Sequence, residues 1–284
     1  MAASAGLERA LAIYERLDDR NGVMATVIAL AYASYAPVVH LTSSARHLEE
    51  IRRVTSRRAE LVTESERARQ ELQMLYGIHI YARAKVVPDL MLSRGSDAYR
   101  TARMQGDRTI EFLAAGGVAL ANLQLGDQAE VERWLGLAAA ALAAAPSPIR
   151  ARQLEAWRGL ARAAAGDAEG MRRHLEAAVT MATEQGRAPA RCEALARLAL
   201  EAAKLGAATS NAELLELGER SATQARDLAA QLPGHASWGA RADAALSIVA
   251  LTRGDVAAAV TAGNAVLQAL QAGAHEDLDL DIII

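Results

Sequence analysis

A glycine-centred turn recurs along this chain at a nearly constant distance. Leu125-Gly126-Asp127, Ala165-Gly166-Asp167 and Leu205-Gly206-Ala207 follow one another at intervals of 40 residues, and Arg253-Gly254-Asp255 comes 48 later. Each lies between two helix-forming stretches of about 15 to 20 residues. Glycine suits the left-handed position that ends one helix, and the aspartate beside it can cap the next. A helix, a tight turn and a second helix, repeated at about 40 residues, is the signature of stacked helical hairpins.

A second class of turn alternates with the first. Asp18-Asp19-Arg20-Asn21-Gly22, Gln105-Gly106-Asp107-Arg108, Pro146-Ser147-Pro148, Gln185-Gly186-Arg187 and Pro233-Gly234-His235 separate one hairpin from the next. Two alternating turn classes require alternating first and second helices, the plan of a solenoid. The helical faces agree. Leu113, Gly117, Leu120 and Gln124 recur at helical spacing, as do Val131, Leu135, Ala138 and Leu142, and then Met171, Leu175, Ala178 and Ala182. Hydrophobic residues make up 52% of the chain but aromatics only 4%, so the core is built from Ala, Leu, Val and Ile. Such a core favours closely packed helices over sheet.

The fold expected is therefore all-α: one array over residues 1–284 of about 13 helices in a right-handed curved stack. Residues 1–107 are irregular, 108–272 more regular, and 273–284 form a tail. Within the irregular part, Thr42 to Gln70 reads as one long charged helix, and Tyr76 to Leu92 as an apolar helix that stops near Pro88. The 42–95 region is the least regular. Ser210 to Leu232 reads as a lengthened helix behind an extra loop at Ala207-Ala208-Thr209. The helix around Ala10 to Leu17 lacks a hairpin partner, and the chain closes on apolar Leu280-Asp281-Ile282-Ile283-Ile284. Natural arrays end in polar caps, so the expectation is a fragment of a longer protein whose uncapped ends self-associate.

Ala10-Leu11-Ala12-Ile13-Tyr14-Glu15-Arg16-Leu17-Asp18-Asp19-Arg20 resembles a stretch common in bacterial tetratricopeptide arrays. Glu213-Leu214-Leu215-Glu216-Leu217, Leu232-Pro233-Gly234-His235, Trp238-Gly239-Ala240 and His275-Glu276-Asp277-Leu278 resemble the MalT-like helical region of large adenylate cyclase-like and LuxR-type signalling ATPases. That resemblance implies a sensor or scaffold role beside a nucleotide-binding domain.

The residues themselves offer no chemistry. There is no Gly-x-x-x-x-Gly-Lys-Ser/Thr loop, because Lys85 and Lys204, the only lysines, both lack the preceding glycines. No Gly-x-Ser-x-Gly elbow and no strand-flanked aspartate pair is present. His40, His47, His79, His174, His235 and His275 form no metal-ligand spacing, and the acidic run from His275 to Asp281 reads as a solvated linker. Cys192 stands between Arg191 and Glu193; a guanidinium beside it would favour a thiolate, but an alanine-rich helix favours a small packing residue. The arginines from Arg46 to Arg69 are interleaved with glutamates, as on a solvated helix.

No catalytic, cofactor-binding or metal residue is therefore assigned. A net charge of −3 gives no reason to expect nucleic acid or an anionic membrane as partner. The stretch from Val23 to Val39 is too polar for a membrane span, and a single cysteine fits a reducing cytoplasm. Arginine replaces lysine almost throughout, the codon signature of a GC-rich bacterial genome. The expected function is a non-catalytic, cytoplasmic scaffold holding a protein or peptide in its concave groove. The alternative is a small-molecule sensor controlling an attached ATPase, nucleotide cyclase or transcription regulator. Circular dichroism of the chain is expected to show helix, with strand content well below about a fifth.

Overall fold

The computed structural model describes residues 2–17, 26, 88–232 and 236–271, and every element among them is an α-helix. They are α1 (Ala2–Arg16), α2 (Pro88–Gln105), α3 (Arg108–Leu125), α4 (Gln128–Ala144), α5 (Pro148–Ala164), α6 (Ala168–Glu184), α7 (Ala188–Thr209), α8 (Ala212–Ala229), α9 (Ala236–Thr252) and α10 (Val256–Gln271). Ten helices stand among the described residues, against about 13 expected over the whole chain. The expected helical stretches at 23–39, 42–70 and most of 76–92 lie outside the described residues apart from Thr26. The turns at 18–22 and 233–235 and the tail at 273–284 lie outside them as well.

The hairpin turns share one geometry. Gly126, Gly166 and Gly254 have φ of 75°, 73° and 80°, the left-handed region that costs glycine nothing. The residue after each donates its amide five residues back: Asp127 to Asn122 at 3.0 Å, Asp167 to Arg162 at 2.9 Å, Asp255 to Ala250 at 2.9 Å. The same aspartates then cap the next helix, accepting from Glu130, Gly170 and Ala258. A side-chain cap of this kind stabilises a helix by about 1 kcal/mol.

Two expected boundaries move. Gly206 does not form the third turn; it is buried inside α7, which continues to Thr209. A β-carbon on Gly206 would stand 2.9 Å from the amide nitrogen of Leu215, so this glycine lets α8 come close rather than ending a helix. The turn is made instead by Ser210, at φ 54°, and by Asn211, whose side chain accepts from Leu214 at 3.2 Å. The left-handed residues of the hairpin turns therefore recur at 126, 166, 210 and 254, and the supposed extra loop at 207–209 is helix. Pro88 likewise begins a helix instead of stopping one, because a missing N–H and a fixed φ suit a first turn. Gly95 lies buried within that helix.

Short turns make consecutive helices antiparallel partners. The hairpins are α3–α4, α5–α6, α7–α8 and α9–α10. Beyond these pairs, each first helix touches the next first helix: α3 meets α5, α5 meets α7, and α7 meets α9. None of the extensive contacts among the described residues joins one second helix to the next. The first helices are thus covered on several sides. Helix α3 is buried without a break from Ile110 to Asn122, so it has no polar face and the expected stripe of Leu113, Gly117 and Leu120 widens to the whole circumference. The second helices keep the stripes read from sequence, with Val131, Leu135 and Ala138 buried on α4 and Met171, Leu175, Ala178 and Ala182 on α6.

Small residues set the spacing. Phe112 of α3 stacks on Trp157 of α5, ring centroids 5.0 Å apart, and the indole lies where a side chain on Gly116 would be. Gly159 gives the same room to Leu175. Two glycine variants separate turn strain from close packing. Gly166→Val is expected to lose about 1 kcal/mol in denaturant titration, from the left-handed backbone alone. Gly206→Val is expected to lose about 3 kcal/mol, because the new side chain meets backbone.

Candidate functional site

Arginine is seldom buried unless it is paired, yet three arginines are buried here at similar places. Arg152 on α5, Arg197 on α7 and Arg241 on α9 keep only 7%, 8% and 3% of their surface exposed. They precede the left-handed residues Gly166, Ser210 and Gly254 by 14, 13 and 13 positions. All three belong to first helices, the helices that stack on one another. On α3 the corresponding place holds Phe112 and Leu113.

Glu193 of α7 links two of them. Arg197 Nε and Nη2 donate to Glu193 Oε1 at 3.3 and 3.0 Å, along one helix. The other oxygen, Oε2, lies 3.7 Å from Arg152 Nη1 on α5. One carboxylate therefore serves two guanidiniums on neighbouring first helices and is itself about a third exposed. Arg152 Nε is buried without a hydrogen-bond partner.

A second polar group lies between α5 and α6. Glu155 accepts from Arg158 at 2.8 Å through one oxygen and meets His174 Nδ1 at 2.7 Å through the other. His174 is thus held by a hairpin contact; the remaining histidines lie outside the described residues. On α9, burial raises the Asp243 carboxyl above its ordinary value, and Arg226 at 3.9 Å only partly opposes this. These groups tie helices together and leave no nucleophile beside a base.

Cys192 settles in favour of packing. Its thiol is fully buried and donates to the Ala225 carbonyl at 3.3 Å, across the α7–α8 interface. Burial, and then the charge of Glu193, push its pKa up from 9.0 to about 11. Arg191, next to it in sequence, is exposed on another side of the helix. Among the described residues no three His, Cys, Asp or Glu side chains gather as a metal site, and no described helix is long and apolar enough to cross a membrane. Among the described residues, a recess on α1 is bounded by Arg9, Ala12, Ile13, Glu15 and Arg16.

The arginine row is the feature that sequence reading missed. Its signal is the recurrence of arginine 13 or 14 positions before three of the four turns, which becomes visible only once the third turn is placed at Ser210.

Removing the shared carboxylate exposes its worth. Glu193→Gln is expected to lose about 2 kcal/mol by chemical denaturation, since two guanidiniums lose their counter-charge. Adding Arg152→Met and Arg197→Met should recover most of that loss. Cys192 should resist thiol reagents at pH 8 until the protein unfolds. The fold holds the thiol neutral where the unfolded chain ionises it, so stability should decline as pH rises above about 9. Cys192→Ala should flatten that decline in melting temperature.

In comparison with known proteins, no family model matches the chain and no curated sequence matches it.

Proposed function

We propose that this chain is a non-catalytic scaffold, a tetratricopeptide-like α-solenoid that holds a protein segment against its row of first helices. The observation that carries this reading is the contact of α3 with α5, α5 with α7 and α7 with α9, which stacks one repeated unit along the array. Stacked hairpins of that kind bind extended or helical peptides. The buried arginine–glutamate groups support it further. They fix the register of neighbouring first helices, and a rigid surface loses less entropy when it binds. In this reading the chain serves as the helical-repeat part of a bacterial signalling protein, cytoplasmic, with no nucleic acid or membrane as partner. Self-association through the ends of the array accompanies it.

Peptide-display selection on the immobilised chain tests the proposal. Selected peptides should slow amide exchange in α5, α7 and α9. Protection confined to the outer faces of α4, α6 and α8 would reject a first-helix surface. Stabilisation by small metabolites in a thermal-shift screen, with no peptide selected, would favour the sensor instead. The purified chain should neither hydrolyse ATP nor form cyclic nucleotides above a mock preparation.

A further inference from the structure

Helix α10 departs from the other second helices on one flank. Counted from their capping residues Asp127, Asp167, Asn211 and Asp255, the second helices can be compared position by position. The fifth position carries charge on α4, α6 and α8, as Glu132, Arg172 and Glu216; on α10 it is Val260. The twelfth is Ala139, Val179 and Thr223, all partly covered; on α10 it is Leu267. On α4 this flank faces the following first helix. Gln128, the first position, donates to the Ala161 carbonyl of α5 at 3.4 Å, and Glu132 pairs with Arg162 of α5 at 3.0 Å. Ala139 packs into the same core. On α10 the matching residues are Val256, Val260 and Leu267, and they are 61%, 56% and 56% exposed. The flank that borders a following helix on α4, and carries charge on α6 and α8, is on α10 apolar and exposed.

The spacing of this stripe is self-complementary. Val256, Val260, Gly263 and Leu267 follow at steps of four, three and four, and on a helix all lie within about 60° of one another. A step pattern that reads the same in both directions matches its own copy in antiparallel pairing. Val256 then meets Leu267 of the copy, and Val260 meets the gap at Gly263. A two-fold contact needs such reciprocity. No residue from Val256 to Gln271 is charged, so no like charges oppose one another across the axis.

We infer that two copies of this chain pair through α10, antiparallel about a two-fold axis. This inference rests on the self-association named above and gives it a surface. A helix of 16 residues is about 24 Å long, so the contact lies at the small end of specific interfaces and dissociates in the micromolar range.

Sedimentation of the full chain from about 1 to 100 µM should show a reversible dimer. Val260→Glu should weaken it at least about tenfold, because each dimer would bury two charges. Leu267→Gln should weaken it less, and both variants should keep the parent's helicity and melting temperature, since both positions are exposed. In a Cys192→Ala background, oxidation should cross-link the double variant Val256→Cys, Leu267→Cys into dimers and each single variant far less. A monomer throughout this range overturns self-association as a whole. An oligomer indifferent to Val260→Glu, or single variants that cross-link as well as the double, overturns the α10 pairing alone.

Discussion

A β-carbon on Gly218 would stand 3.1 Å from the carbonyl oxygen of Ala199 and from the amide of Ala203. Helix α8 thus lies against the backbone of α7, with Gly206 giving the matching approach from the other side. Large side chains cannot enter a space that narrow, so alanines gather around it: Ala196, Ala199, Ala203, Ala222 and Ala225 are buried without exposed surface. Aromatic or β-branched residues would force the helices apart. The scarcity of aromatics is therefore a condition of the packing, and four of the ten present pack together away from this interface, among α2, α3, α4 and α5. There Phe112 and Trp157 stack between α3 and α5, and Tyr99 of α2 meets the edge of Trp134 of α4 at 5.3 Å.

Close hairpins demand tight turns. A helix pair in backbone contact leaves room for only a short connection, and the left-handed residue followed by a capping side chain supplies one. Ser210-Asn211 shows that glycine is a preference here and not a necessity. At φ 54° a serine adopts the conformation at a modest cost, and asparagine caps as aspartate does elsewhere. The repeat is kept by geometry while its letters change.

The same closeness explains the buried charges. When first helices stack on one another, a long side chain between them has no solvent to turn to, and arginine must find its counter-charge within the stack. Glu193 serves Arg152 and Arg197 together, which joins α5 to α7 at a fixed register. Well-packed apolar residues would hold these helices as firmly. What a shared carboxylate adds is direction: it is satisfied in one alignment and not in a shifted one.

Local chemistry was legible from the sequence. Gly126-Asp127, Gly166-Asp167 and Gly254-Asp255 mark turns because φ and capping depend on adjacent residues alone, and the stripes of α4 and α6 follow from a 3.6-residue period. The all-α class followed from both. Tertiary structure decided the rest. Gly206 looks like a turn glycine until Leu215 is placed against it, and the Ser210 turn has no letter in common with its counterparts. Pro88 reads equally as an end or a beginning until its helix is seen. The joining of Arg152, Glu193 and Arg197 depends on the distance between two helices far apart in sequence. No periodicity encodes that distance; the glycines and alanines between the helices set it.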